Sequence, residues 1–188
     1  MARTNFPNGI TSMGVPLPGG LLSQGKTFFT GPRTGLIGNP GGETILPVAK
    51  ISQGYAKMAA GRNDTLYLMA QGNTAADTTD YQSATLTWNL NNTHLIGMTA
   101  PGLIAQRARI AQLSTAIGIS PLVNISGSAC LWQNIHVFQG VDDVTSLISV
   151  LVSGDRNVFY RCHFAGGGHA TQAASTSMRS LKVTGSEN

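Results

Sequence analysis

Ser153-Gly-Asp-Arg-Asn-Val-Phe-Tyr-Arg-Cys-His-Phe164 decides the fold, because the chain writes much of it more than once. Ser126-Gly127 stands ahead of an Asn134-Ile-His-Val137 strand in the way that Ser153-Gly154 stands ahead of Arg161-Cys-His-Phe164. Thr184-Gly185-Ser-Glu-Asn188 repeats the opening again, with Asn188 where the previous copy has Asn157. The copies are spaced by 27 residues (126 to 153) and by 31 (153 to 184). A self-similar unit of about 20 to 50 residues marks a stacked architecture. This unit consists of short β-type runs without a helical period, so the expected fold is all-β, a parallel β-helix (solenoid).

Alternation within the copies assigns side chains to faces, because successive side chains of a strand point to opposite sides. Ile135 and Val137 align with Cys162 and Phe164 and are expected inside, while His136 and His163 are expected outside. Trp132 aligns with Phe159 as an inward aromatic. Stacked coils lie about 4.8 Å apart, so equivalent residues form ladders. Asn157 and Asn188 share a phase beside a Gly turn, where Asn tolerates left-handed backbone angles and its amide can bond a neighbouring coil. Further strands are expected at residues 65–70, 85–90, 94–98, 122–125, 132–137, 147–152, 158–164 and 180–183.

Three segments follow from composition. Residues 1–45 are dense in Gly and Pro yet carry Phe6, Ile10, Val15, Leu17, Leu21, Leu22, Phe28 and Phe29. This reads as an extended attachment arm whose apolar residues dock on its own domain, a sister subunit or another protein. Residues 46–62 place Val48, Ile51, Tyr55 and Met58 on one helical face with Lys50 and Lys57 off it, which predicts a short helix capping the first coil. Residues 63–188 carry the β-helix. Its third copy reaches Asn188 where a strand would begin, which predicts an open last coil. The expectation is therefore that the natural product continues past Asn188 or that another chain covers this end.

Charged residues make up 11% of the chain, against roughly 25% in an average globular protein. The formal charge is +4, and five of the twelve basic residues but one of the eight acidic ones lie in residues 1–60. Those five are scattered rather than clustered, so no nucleic-acid partner is expected. An acidic protein partner suits the arm better. Cys130 and Cys162 are too few for a disulfide framework and read as small core residues. No run of 18 apolar residues predicts a membrane span, and no signal peptide is apparent.

Asn157-Val-Phe-Tyr-Arg-Cys-His-Phe164, and Asn63-Asp-Thr-Leu-Tyr-Leu-Met-Ala-Gln-Gly72 after a short helix, resemble coils of the pectate-lyase-like right-handed β-helix superfamily. The resemblance covers roughly residues 45–188. It implies a right-handed coil, and it spans lyases, hydrolases, adhesins and phage virion proteins, so it speaks for fold rather than activity. Ala2-Arg-Thr-Asn-Phe-Pro-Asn-Gly9 through Gly14-Val-Pro-Leu-Pro18 resembles the opening of phage virion proteins that join an arm to a β-helix. That likeness implies a homo-oligomer, with a trimer as the favoured number.

Motifs for chemistry are sparse. Gly20-Leu-Leu-Ser-Gln-Gly-Lys-Thr27 matches a phosphate-loop pattern, but Pro16 and Pro18 spoil the strand it needs and Gly31-Pro32 stops the helix. His136 and His163 have no Cys or carboxylate in phase to complete a metal site. Asp142 and Asp143 point to opposite faces if extended, Asp155 and Arg156 read as a surface pair in a turn, and Arg107 and Arg109 share a face without an acid. Neither a catalytic residue nor a cofactor or metal is expected. The expected function is a structural component of a bacteriophage particle, most of all a capsid decoration or cement protein whose arm holds the major capsid protein or another virion protein. The alternative is a tailspike or receptor-binding fragment that binds or cleaves a host glycan.

Overall fold

In the computed structural model, residues 25–70, 74–98 and 108–188 are described in full, together with the backbone of residues 11–12 and 15–16. Strands β1 (Thr11–Ser12) and β2 (Val15–Pro16) form a small antiparallel pair. The body then runs β3 (Thr27–Thr30), α1 (Ile51–Tyr55), β4 (Asp64–Met69), α2 (Ala75–Thr78), β5 (Thr79–Gln82), β6 (Leu86–Trp88), β7 (Thr93–Met98), β8 (Arg109–Gln112) and β9 (Val123–Ile125). It continues with β10 (Leu131–Gln133), β11 (His136–Phe138), β12 (Ile148–Val152), β13 (Val158–Tyr160), β14 (His163–Ala165), α3 (Ala170–Ala173) and β15 (Arg179–Val183).

The body is a parallel β-solenoid of about four turns. Its first face stacks β3, β4, β7, β10 and β13; its second stacks β5, β8, β11 and β14; its third stacks β6, β9, β12 and β15. The 27-residue spacing appears as register, with Trp132 beside Phe159 and His136 beside His163. The 31-residue spacing pairs Val150 with Leu181 and Val152 with Val183. Leu66, Leu95 and Trp132 from the first face, Ile110 and Val137 from the second, and Val123, Val150, Ile125 and Val152 from the third are buried in one core. Full burial of such a side chain contributes roughly 1.5–3 kcal/mol, and repetition of the coil sums it.

Two expected strands, 132–137 and 158–164, are each two strands on different faces. The chain turns between them at Asn134 and Arg161, both in the left-handed region (φ 55° and 53°). The corner explains how Trp132 and Ile135, three residues apart, both point inward. A second column of left-handed residues, Asn63, Asn92, Ala129 and Arg156, turns the chain onto the first face of each coil, and Glu187 continues the column ahead of Asn188. The left-handed position therefore falls one residue before Asn157 and Asn188, not on them.

The side chains of those asparagines do bond between coils. The Cys130 amide donates to Asn157 Oδ1 (3.0 Å), and the Asn157 amide donates to Asn188 Oδ1 (2.8 Å). Asp64 does the same for the Lys26 amide (2.7 Å) at the start of the stack. The repeated Ser-Gly has a different cause. A Cβ on Gly154 would stand 2.1 Å from the Gly127 carbonyl oxygen, and one on Gly185 would stand 2.1 Å from that of Gly154. Glycine is required there because backbones of successive coils touch.

Candidate functional site

The predicted attachment residues divide. Phe6, Ile10, Leu17, Leu21 and Leu22 lie outside the described residues, and Val15 is described only as backbone in β2. Phe28 and Phe29 belong to β3, which pairs in parallel with β4, so the solenoid starts inside the segment read as an arm. Phe28 is buried in the core, and Phe29 stacks on Tyr67 with ring centroids 5.4 Å apart. These two dock on the chain's own domain and are spoken for there. In the sequence, Gly31-Pro32 and the glycines that follow mask this short strand.

The N-terminal end of the stack is closed in depth. The outer edge of β3 is occupied: the Phe29 amide donates to the Gly41 carbonyl, the Val48 amide to the Phe29 carbonyl and the Gly31 amide to the Val48 carbonyl. Helix α1 lies on Leu66, close enough that a Cβ on Gly54 would meet its Cδ1 at 2.5 Å. Val48, Ile51 and Met58 are buried and Tyr55 packs on Trp88 at 4.4 Å, but the helix spans five residues, so only Ile51 and Tyr55 of the expected face are helical and Val48 instead bridges Thr30. The Tyr55 hydroxyl accepts from the Asn89 and Leu90 amides.

Two buried carboxylates, neither singled out by sequence reasoning, fasten this cap. Asp64 accepts from the Lys26 and Ala59 amides and from the Arg62 guanidinium. Burial opposes its ionisation, but Arg62 and the two amides outweigh burial and hold its carboxyl below the usual range. Asp80 occupies an inward position beside Ile110, where its Oδ2 accepts from the Ile51 amide (2.6 Å) and Oδ1 lies 3.3 Å from Lys50 Nζ. Burial raises its pKa despite those partners. The available signal for Asp64 was its phase, since it precedes an apolar strand as Asn157 does.

A second buried polar ladder joins the second and third faces. Gln139 Nε2 donates to Gln112 Oε1 and to the Ile119 carbonyl, Gln112 Nε2 donates to Ser146 Oγ, and Ser149 Oγ donates to Gln139 Oε1. Gln172 Nε2 reaches the Ser146 carbonyl. The amides of Gln112 and Gln139 find partners across coils, as buried amides must, while Gln172 Oε1 has none among the described residues.

The three aspartates noted in the sequence bond to neighbouring segments. Asp143 accepts from the Gly118 and Thr145 amides and from the Thr145 and Ser146 hydroxyls, which together lower its pKa. Asp142 accepts from the Thr171 hydroxyl, with His169 Nδ1 at 3.4 Å. Asp155 does not pair with Arg156: it accepts from the Ser186 amide, and Arg156 pairs with Glu187 of the next coil. His136 and His163 stack face to face (4.5 Å, 13°) in register with Arg109, but His136 is buried rather than on an open surface. Arg107 lies outside the described residues. Burial raises the Cys130 thiol and pushes that of Cys162 up to about 11, so both are free thiols without activation. Among the described residues no group of three or more His, Cys, Asp or Glu is placed to hold a metal, and no helix is long and apolar enough to cross a membrane.

One cavity of about 360 Å³ lies between α1 and the β5–β6 turn, lined by Lys50, Ser52, Tyr55, Tyr81, Gln82 and Thr87 among others. The other surface of note is the C-terminal end, where among the described residues Phe159 and Phe164 are half-buried and Leu181 and Val183 exposed. Compared with known proteins, the chain matches no protein family, no curated protein and no solved structure.

Proposed function

We propose that this chain is a structural component of a bacteriophage particle, a capsid decoration or cement protein located in the virion after assembly in the host cytoplasm. The supporting observation is the way its polar side chains are used. Asp64, Asp80, Asp143, Asp155, Asn157 and the glutamine ladder are committed to amides and side chains of neighbouring turns, and they do not converge on a cleft. Such a body is rigid and projects, and the apolar Gly/Pro-rich residues ahead of β3 supply the attachment to the major capsid protein or another virion protein. The protein acts without catalysis or cofactor in this reading, and self-association is part of it.

The test is deletion of residues 1–24, which stops short of β3. The shortened chain is expected to keep its far-ultraviolet circular dichroism and lose co-sedimentation with phage particles. Attachment that survives the deletion overturns the arm reading. Deleting residues 1–45 would confound the result, because it removes a core strand.

The cavity beside α1 favours a second reading as a glycan-binding tailspike or receptor-binding part. Its volume is at the small end of ligand pockets, and its lining mixes tyrosine rings with hydroxyl and amide groups. Release of reducing ends or unsaturated products from host polysaccharide would move the assignment to this reading.

A further inference from the structure

The outer side of the second face carries a column of polar side chains with no carboxylate in it. Register sets Thr79, Arg109, His136 and His163 side by side on β5, β8, β11 and β14. The residues that follow them, Asp80, Ile110, Val137 and Phe164, point into the core, so these four point away from it. Thr79 is only 2% exposed, and Arg109 is half-buried. Thr79 Oγ1 and Arg109 Nε are both shut off from solvent without a hydrogen-bond partner, and so is His163 Nδ1 further along the column. A charged donor buried without an acceptor loses its hydration and gains nothing in exchange.

The chain has no carboxylate to spare for Arg109. All eight of its acidic residues lie among the described ones. Their contacts run to Arg33, Lys50, Arg62, Arg156 and His169, to backbone amides or to hydroxyls, and none runs to Arg109. Glu43 is likewise engaged. The neighbouring outward column holds Tyr81, Ala111 and Phe138, none of them charged at neutral pH. The missing negative charge must therefore come from outside the chain.

We propose that a small tetrahedral oxyanion, phosphate or sulfate, binds at the step between Arg109 and Thr79. A guanidinium pairs with an oxyanion through two parallel N–H bonds. The Thr79 hydroxyl stands on the adjacent strand, about 4.8 Å away along the stack. A tetrahedral ion offers two oxygens to Arg109 and a third to Thr79. A carboxylate has two oxygens in all, so pairing with Arg109 leaves Thr79 unmet. His136, on the other side of Arg109, brings no negative charge to compete with the ion. Bound there, the ion ties β5 to β8, as Asn157 ties its coil to the one before.

Isothermal titration calorimetry of the 188-residue chain in chloride buffer tests the site, with inorganic phosphate and sulfate as probes. One ion per chain is expected, and acetate is expected to bind about 10-fold more weakly or less. Glycerol 3-phosphate separates the two sources of the group. Affinity equal to that of inorganic phosphate assigns the site to an esterified phosphate, and weaker affinity assigns it to the free ion. Arg109→Gln is expected to lower phosphate affinity about 10-fold or more. Phosphate near 100-fold above Kd is expected to raise the melting temperature by about 5 °C more in the parent than in Arg109→Gln. That comparison removes the general stabilisation that phosphate gives any protein by exclusion from its surface. If Arg109→Gln fails to fold, Thr79→Val carries the test and is expected to weaken phosphate but not acetate. Absence of saturable phosphate and sulfate binding, acetate binding as tight as phosphate, or affinity unchanged in the variant would each overturn the proposal.

Discussion

The two ends of this solenoid are built from the same repeating coil and finished in opposite ways. At the N-terminal end a five-residue helix, a strand and a loop take up the apolar and backbone groups of the first coil, and Asp64 and Asp80 fasten them. At the C-terminal end Phe159, Phe164, Leu181 and Val183 continue core columns with no layer over them among the described residues. Position in a column therefore fixes direction, and only the next coil confers burial. A stacked repeat supplies its own interior but not its own ends.

The strongest way to break this comparison is a matched pair of core truncations. Trp132→Ala removes a fully buried ring and is expected to cost about 4 kcal/mol in urea unfolding. Phe159→Ala, next in the same column, is expected to cost less than about half of that. Equal losses would mean that the C-terminal end is as well covered as the interior.

Next comes the glycine column. Gly154→Ala must push its Cβ against the Gly127 carbonyl with another coil behind it, at a cost of about 3 kcal/mol. Gly185→Ala meets the same clash against Gly154, but the last coil has room to lift, so about 1 kcal/mol is expected. Thermal unfolding of both variants measures the difference, and a reversed order would contradict an open end.

Asp64→Asn is expected to cost about 2 kcal/mol by weakening charge-assisted bonds to Lys26, Ala59 and Arg62. Hydrogen exchange should show lost protection at the Lys26 and Ala59 amides and none at Ser186. Loss that spreads evenly through the stack would show that Asp64 is not specific to the cap.

The smallest effect is in pH. The folded pKa of Asp64 is lowered, so its stabilisation is present above the unfolded carboxylate value of about 3.9 and is lost as pH falls through the folded value. Asp143 acts in the same sense. Asp80 is raised, so the folded chain keeps its proton longer, and the resulting stabilisation is lost as pH rises from about 3.9 through the raised value. Melting curves against pH should therefore show that Asp80→Asn removes a fall in stability just above the usual carboxylate range. An unchanged profile would rule out Asp80 as its source.

Much of the stack was legible. The Ser-Gly phrase located the coils, and alternation around His136 and His163 located the inside. The strands that escaped notice, β3, β5 and β8, are four residues each and lack strict alternation. In β5 the inward residue is the charged Asp80, a departure that reads as solvent exposure until the helix amide it accepts from is in view. The attachment arm was legible only as composition, and two of its phenylalanines turned out to belong to the core.

The sequence by itself determined that apolar side chains recur at coil spacing, that glycine recurs where backbones touch, and hence that the chain stacks. The tertiary structure decided where the coil turns. Asn63, Asn92 and Asn134 tolerate left-handed angles, but Ala129, Arg156, Arg161 and Glu187 adopt them without local preference. They do so because the ladders on either side hold each corner in line with the one beneath it, at a cost of roughly 1–2 kcal/mol per residue. It also decided what becomes of each end, since an apolar column is satisfied only by whatever packs on its last member.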